Sequence, residues 1–190
     1  MTHSPSRGEA QHFTIKAGGK EAVDAALRYA DSPITELRDL IRLGWGAMDG
    51  WFEEDEEVDT HPRDPSTRVD ILASSRRVRV ELDGVVLAES ANARVLFETG
   101  LPPRWYLPKP DVPMALLVPT GTVSHCPYKG QAQHWSARVG DRLVEDLAWS
   151  YRTPLPESTK IAGLVAFYNE RVDLFIDGRL EQRPVTKFST

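Results

Sequence analysis

The chain contains very little cysteine: Cys126 is the only one among its 190 residues. A single thiol cannot form an internal disulfide, so we expect a reducing compartment, the bacterial cytoplasm. The chain also lacks an apolar run of the roughly 20 residues that a membrane span needs, and its first residues lack a signal-peptide core. Basic charge is not in surplus, because 23 basic and 28 acidic side chains give a net charge of −5. Neither nucleic acid nor a membrane is therefore an expected partner.

Motifs for nucleotides, cofactors and metals are missing as well. The sequence has no P-loop and no Gly-Ser loop followed by an Asp-x-Asp pair, so we expect no cofactor. His125, Cys126 and His134 follow a spacing that matches no zinc-finger pattern, and we expect no metal. What remains is the composition of an ordinary globular protein, 41% hydrophobic and 27% charged, long enough for one domain with an appendage.

The first third of the chain carries helical signals. Residues 1–19 are polar and Gly-rich and are predicted to be flexible. The segment KEAVDAALRYA has apolar residues at helical spacing, which predicts a first short helix. A second helix is predicted to begin with Ser32 as its N-cap and Pro33 at its first position, and to end at Gly44.

A linker is predicted to follow these helices. Six acidic residues lie within residues 53–59, and the segment HPRDP after them is stiffened by two prolines. Together, residues 20–65 form a helical segment with an acidic, Pro-containing linker, which we interpret as the remnant of a first repeat. The helices also offer a surface for a homodimer.

From Arg76 onwards the pattern changes to the alternation typical of β-strands. Short apolar segments separated by turn residues recur to the end of the chain, which predicts a compact antiparallel β domain over residues 66–181. Residues 182–190 are predicted to be a C-terminal tail. The fold class is therefore mainly β, sandwich-like, with a short N-terminal helical appendage.

One β-hairpin is predicted in detail. RRVRVELDGVVLAES contains Asp83-Gly84, a strong signal for a two-residue turn. This turn would pair Leu82 with Val85 and Val80 with Leu87, and would place all four on one core face.

An ordered series of motifs gives the sequence a family resemblance. The segments RVRVELDGVVLAES, FETGLPPRWYLP, CPYKG, HWS, AWSY, PLPE and IAGLVAFYNERVD together resemble the bacterial and fungal family known as domain of unknown function family 427. The resemblance extends from about Arg76 to Gly178, over half of the chain.

The resemblance implies a compact fold similar to the β-tent domains. Relatives with that fold often hold zinc through two cysteine pairs, which a chain with only Cys126 cannot provide. The family is also filed under a nucleotidyltransferase-like label. That chemistry needs clustered carboxylates for metal and a Gly-rich phosphate-binding loop, and this sequence has neither a Gly-Ser loop followed by an Asp-x-Asp pair nor a P-loop.

The segment CPYKG is the strongest candidate for a functional site. Pro127 and Gly130 favour a tight turn that would hold Lys129 as the key charge at its rim. Cys126 is a second candidate, as a nucleophile, although a lone cysteine also packs well as a small apolar residue. Glu98 and His134 lie within predicted strands, where a half-buried side chain could act as an acid or a base. These four residues are the predicted catalytic set.

Aromatic residues near these positions are predicted to line a ligand pocket: Tyr106, Tyr128, Trp135, Trp149 and Tyr151. Aromatic residues at this spacing are also typical of a core, and in LAWSY we expect Leu147, Trp149 and Tyr151 to share one face. Two functions follow. The first is a small-molecule site, catalytic through acid–base or covalent chemistry that needs no cofactor. The alternative is a non-catalytic accessory module that binds a ligand or a peptide.

Overall fold

The computed structural model of the protein describes residues 2–53, 56–57, 61, 64 and 66–189. The chain divides into two compact units, residues 1–61 and residues 62–190. Most of the predicted acidic and HPRDP linker lies outside the described residues. No helix in the described part of the chain is long and apolar enough to span a membrane.

The first unit contains strands where helices were predicted. β1 (Thr2–Ser4), β2 (Gly8–Ala17), β3 (Lys20–Arg28) and β4 (Ile41–Leu43) form an antiparallel sheet in the order β1-β2-β3-β4. The short strands β5 (Phe52–Glu53) and β6 (Glu56–Glu57) pair separately.

The first predicted helix is wrong because residues 8–28 form a hairpin, whose first strand lies in the segment that was predicted to be flexible. Gly18 and Gly19 both have positive φ, 55° and 78°, and they join β2 to β3 in a two-residue turn. Val23, one of the apolar residues of this segment, is 71% exposed, whereas Ala25 and Ala26 are buried. Pairing across the hairpin therefore overrides the helical spacing of KEAVDAALRYA.

The second predicted helix is reduced to one 3₁₀ turn, Thr35–Leu37. Ser32 is buried and its Oγ accepts the backbone N–H of Ile34 at 3.1 Å, so the polar side chain ties a turn rather than capping a helix. Ile41, which lies within the range predicted for this helix, begins β4 and pairs with Arg28 of β3. The helices that were to provide a homodimer surface are therefore wrong, and the homodimer itself stays a prediction.

The second unit is mainly β, as predicted, and its sheets are antiparallel. Its strands are β7 (Val69–Ala73), β8 (Val78–Leu82), β9 (Val85–Ser90), β10 (Arg94–Glu98), β11 (Arg104–Leu107), β12 (Leu117–Cys126), β13 (Gly130–Val139), β14 (Arg142–Tyr151), β15 (Val165–Phe167), β16 (Asp173–Ile176) and β17 (Arg179–Leu180). Three short 3₁₀ segments lie between them: Lys109–Asp111, Met114–Leu116 and Pro156–Ile161. The first unit contains a further 3₁₀ segment, Trp45–Ala47, besides Thr35–Leu37.

Two sheets of the second unit enclose its main core. A seven-stranded sheet has the order β12-β13-β14-β15-β11-β10-β7, and a four-stranded sheet has the order β17-β16-β8-β9. Buried side chains of both sheets form one cluster, including Val80 and Leu87 from the small sheet and Trp105 and Trp135 from the large one. The large sheet carries a second buried cluster on its other face, which we call the outer cluster: Ile71, Leu96, Tyr106, Ala132, Trp149, Tyr151, Ile161 and Ala166.

The β8–β9 hairpin has the predicted turn but a shifted register. Asp83 and Gly84 have φ values of 51° and 78°, as a two-residue turn requires, and Leu82 pairs with Val85. An irregularity next to Glu81 then pairs Val80 with Ala88 instead of Leu87. Leu87 is still fully buried, whereas Val85 is 36% exposed, so three of the four predicted residues face the core.

Candidate functional site

The CPYKG turn joins β12 to β13 and is fixed by the segment that follows β14. Within the turn, the N–H of Lys129 donates to the carbonyl of Cys126 at 3.2 Å. From outside, Ser158 Oγ donates to the carbonyl of Tyr128 at 3.0 Å, and the N–H of Leu155 donates to the carbonyl of Lys129 at 3.2 Å. Gly130 has a φ of 88°, which permits the sharp exit into β13. The backbone that carries Lys129 is therefore held on several sides.

The Lys129 side chain is buried against Glu98 and does not project into solvent. Its Nζ lies 2.5 Å from Glu98 Oε2, and the two side chains are only 8% and 11% exposed. Glu98 is the last residue of β10, which is separated from β13 by three strands of the sheet. The predicted rim position of Lys129 is thus wrong, and the two predicted catalytic residues form one ion pair.

Two tyrosines and the thiol lie in the electrostatic neighbourhood of this pair. Burial raises the pKa of Tyr106 well above its ordinary value, and the nearby Glu98 and Cys126 raise it further. Burial also raises the pKa of Tyr151, with smaller contributions from Tyr106, Cys126 and Glu98. Cys126 is half-buried and in no disulfide. We call this group of five residues, Glu98, Lys129, Tyr106, Tyr151 and Cys126, the Glu98–Lys129 site.

Trp149 connects the site to an aromatic row on the same face. Its Nε1 donates to Tyr106 Oη at 3.1 Å, and the two rings meet edge to face at 6.1 Å between centroids. On its other side the Trp149 ring lies 4.5 Å from that of Tyr168, which in turn contacts Phe188 at 5.3 Å. Trp149 therefore fixes the hydroxyl of Tyr106 while forming part of the outer cluster.

A second buried ion pair, which the sequence reasoning missed, lies beneath this aromatic row. Arg104 donates two hydrogen bonds to Glu170, at 2.6 and 2.7 Å, and both side chains are almost fully buried. Burial alone would raise the pKa of Glu170, but hydrogen bonds from Arg104 and Thr186 outweigh it and lower that pKa. In the sequence, the signal for this pair is the arginine that begins the otherwise apolar segment RWYL. In the structure, all four residues of this strand are buried.

His134 lies next to Trp149 in the strand pairing, but its hydrogen-bond partner is not a residue of the Glu98–Lys129 site. His134 pairs with Trp149 across β13 and β14, and its Nε2 lies 2.8 Å from Ser124 Oγ. Its Nδ1 is buried and has no hydrogen-bond partner among the described residues. Burial lowers the pKa of His134, and the nearby Asp146 carboxylate opposes that shift only in part.

Asp146 lies where the pairing of β13 with β14 is irregular, next to a similar irregularity in the pairing of β12 with β13. Its φ is 46°, and its carboxylate accepts hydrogen bonds from Thr120 and Thr122, both at 2.7 Å. Burial alone would raise the pKa of Asp146, but these two hydrogen bonds lower it. Sequence reasoning missed Asp146, which follows another acidic residue, Glu145, at the point where the pairing of β14 becomes irregular.

The predicted aromatic residues do not all reach the site. Trp135 packs in the core between the sheets, with Lys109 Nζ 5.6 Å from its ring, so it cannot shield Lys129. The hydroxyl of Tyr128 accepts the N–H of Asp64 at 2.8 Å. Leu147 belongs to the core between the sheets and not, as predicted, to the face of Trp149 and Tyr151, because it lies within the irregular stretch of β14 between Val144 and Ala148.

The arrangement supports proton transfer more directly than anion binding. Lys129 and Glu98 neutralise each other, so the site offers a donor and an acceptor in contact instead of an isolated positive charge. The neighbouring thiol of Cys126 adds a potential nucleophile. Among the described residues, no three His, Cys, Asp or Glu side chains are grouped so that they could hold a metal ion.

The chain matches a known protein family over more than half of its length. A family model described as "Domain of unknown function (DUF427)" matches residues 70–178, which include every residue of the Glu98–Lys129 site. No curated protein matches the chain.

Proposed function

The chain belongs to the DUF427 family, and we propose that its β domain binds a small molecule at the Glu98–Lys129 site and carries out acid–base chemistry on it. The observation that supports this proposal is the burial of the ion pair together with the hydroxyls of Tyr106 and Tyr151. Buried ion pairs add little to stability, and well-packed apolar residues often serve a fold as well or better. We also propose that the scaffold which carries this pair is β-tent-like, as the family resemblance implies.

The chemistry follows from which atom can hold the proton. In the closed pair, the Lys129 ammonium donates to the Glu98 carboxylate. A ligand that enters between them meets a carboxylate able to accept a proton and an ammonium able to stabilise the negative charge that results. Buried surroundings strengthen both interactions, because little water screens them. The chain's own side chains are enough for such a step.

The ligand would lie against aromatic walls with few polar groups. Tyr151 lies 5% exposed beside the pair, and within the described part of the chain its hydroxyl makes no hydrogen bond, which leaves it available to a ligand. Tyr106, whose hydroxyl already accepts from Trp149, can still donate its own proton. Cys126 is the alternative reacting group, by covalent attack, and a module that binds without reaction remains the alternative function.

The proposal is tested with a double variant that removes both charges together, Glu98→Gln with Lys129→Met. Purified wild-type protein and this variant are incubated with fractionated small-molecule extract, and bound or converted compounds are identified by mass spectrometry. A matched control is Asp83→Asn with Arg142→Met, which removes an exposed ion pair of similar length.

We expect wild type and control to retain or convert the same compound and the double variant to do neither. Retention without conversion by the double variant supports the acid–base role and assigns binding to the aromatic residues. Equal conversion by all three proteins would contradict the proposal, and conversion that is lost only on Cys126→Ala would replace it with covalent chemistry.

A further inference from the structure

A cleft lies between the two sheets of the second unit, apart from the site described above. Its volume is about 540 Å³, which is within the range of small-molecule pockets, roughly 300–1,000 Å³. Most of its lining is apolar and comes from β7, β10, β11 and β16, from the loop between β10 and β11, and from the segment after β17; it includes Leu72, Val95, Phe97, Trp105, Leu174 and Ile176.

The exposure of these residues shows which of them form the floor and which form the rim. Val95, Trp105, Leu174 and Ile176 are all buried and form an apolar floor. Leu72 stands at the rim and is 49% exposed, a large apolar side chain left open to solvent. A molecule that filled the cleft would cover Leu72 and the exposed part of this floor, which is favourable in proportion to the apolar area removed from water.

The charges of the lining balance each other. Arg76 and Glu181 are the two charged residues among those that line the cleft, and both are exposed. None of the floor residues is charged. A charged ligand group would gain no net attraction from this lining and would lose hydration on entering an apolar space, whereas one uncharged polar group could stay at the rim.

An extended peptide fits this place less well. Strand addition needs a free edge, and β7 is the edge of the large sheet next to the cleft. The segment Pro156–Ile161 contacts this strand, however, and Lys160 Nζ donates to the carbonyl of Ile71 at 3.2 Å. The edge is therefore partly covered, and the cleft is suited to a small molecule.

We propose that this cleft is a second binding site, which takes an uncharged amphiphile with an alkyl or aromatic body and one hydroxyl or amide group. It is separate from the Glu98–Lys129 site because strand alternation directs Val95 and Phe97 to the inner face of the large sheet and Leu96 and Glu98 to the outer face. The two proposals therefore stand or fall independently.

The test uses the full chain and the neutral fluorescent probe N-phenyl-1-naphthylamine. Its fluorescence rises on entering an apolar site, and 1-hexanol, 1-octanol and 1-decanol are then used as competitors. Each added methylene should strengthen competition about fourfold, as expected when one methylene is buried. Decanoate and decylamine, which carry a charge, should compete at least about tenfold more weakly than 1-decanol.

Leu72→Trp is the variant that fills the cleft, because this half-exposed position has room for the larger side chain. We expect it to weaken probe binding at least tenfold, while Leu143→Trp, at a position of similar exposure outside the cleft, leaves binding unchanged. Melting temperatures verify that both variants are folded. If Leu72→Trp unfolds, Leu72→Ala replaces it, with an expected loss of about threefold.

Three results would overturn the proposal. One is the absence of saturable probe binding to the wild type. Another is stronger competition by decanoate or decylamine than by 1-decanol, which would assign the cleft to a charged ligand. The third is unchanged binding in a folded Leu72→Trp variant. Loss of binding in the Glu98→Gln, Lys129→Met variant would likewise contradict the separation of the two sites.

Discussion

Each member of the Glu98–Lys129 pair depends on the other for its stability. Both side chains are nearly buried, so neither charge can return to water when its partner is removed. Removing one partner of a buried pair commonly costs about 3–5 kcal/mol, whereas removing both can cost little. A single substitution therefore tests stability and function at the same time, and only the pair of substitutions separates them.

This reasoning predicts the outcome of a double-mutant cycle at the site. Glu98→Gln and Lys129→Met should each lower the free energy of unfolding by about 3 kcal/mol, and the double variant should lose less than either single one. Urea denaturation measures all four proteins. The exposed pair Asp83–Arg142 gives the reference, with single losses below about 1 kcal/mol. Additive losses at Glu98 and Lys129 would show that the contact between them is energetically unimportant.

His134 gives the protein a predicted acid sensitivity. Burial holds its folded-state pKa below the ordinary value of 6.5, so the unfolded chain binds a proton at a higher pH than the folded chain does. The contribution of His134 to stability is therefore complete above pH 6.5 and is lost as the pH falls from there through the folded-state pKa.

Two measurements test this prediction. The Cε1–H resonance of His134 should titrate below pH 6.5, and the free energy of unfolding should decrease between pH 6.5 and 5 in the wild type. His134→Gln should flatten this decrease, and His125→Gln, at an exposed position of β12, is the matched control. Glu170 and Asp146 also have lowered pKa values, but their contributions are lost only at more acidic pH. An unchanged slope in His134→Gln would refute the prediction.

At the scale of strands and turns, the sequence predicts those features that depend only on residues adjacent in the chain, such as tight turns. Asp83-Gly84 adopts positive φ at its predicted turn, and Asp177-Gly178 does the same between β16 and β17, because these residue types tolerate that conformation. The same local logic failed at KEAVDAALRYA, where Ala and Leu favour a helix in isolation. There the Gly18-Gly19 turn brings β2 against β3, and hydrogen bonds between the strands replace those of a helix.

Long-range pairing explains which parts of the site could not be predicted. The residue types were recognisable: Glu98, Lys129, Tyr106 and Tyr151 were all named from their motifs, and the structure brings them together. Their contact with one another could not be predicted, because it depends on the order of strands in the sheet. Trp135 was misplaced for a related reason, since alternation shows that neighbours point apart but not which face holds the core.

The backbone conformation and hydrogen bonds of Asp146 predict how substitutions at this position change the free energy of unfolding. Its positive φ disfavours most side chains but suits Asn and Gly, and its carboxylate accepts from Thr120 and Thr122. Asp146→Asn should therefore cost least, and Asp146→Ala should cost most, about 1–3 kcal/mol, because it loses both hydrogen bonds and adds backbone strain. Asp146→Gly should fall between them. Urea denaturation gives the order, and an Ala variant as stable as Asn would contradict it.

At the scale of the whole molecule, the large sheet of the second unit has two different roles on its two faces. Its inner face shares an apolar core with the small sheet, and its outer face carries two buried ion pairs among aromatic rings. The segment predicted to be a tail contributes to the outer face, since Thr186 donates to Glu170 and Phe188 contacts Tyr168. Stability and the proposed chemistry thus depend on one sheet.

The second unit should fold without the first. Both hydrophobic clusters consist of residues between Ile71 and Ile176, and the second unit, residues 62–190, contains the complete large and small sheets. A fragment spanning residues 62–190 should therefore unfold cooperatively in urea, with near-ultraviolet circular dichroism typical of packed aromatic rings. It should retain the probe binding expected of the cleft, because every lining residue lies within it. An insoluble fragment from a full chain that is stable would show that residues 1–61 complete the core. A soluble fragment that lacks a cooperative transition would lead to the same conclusion.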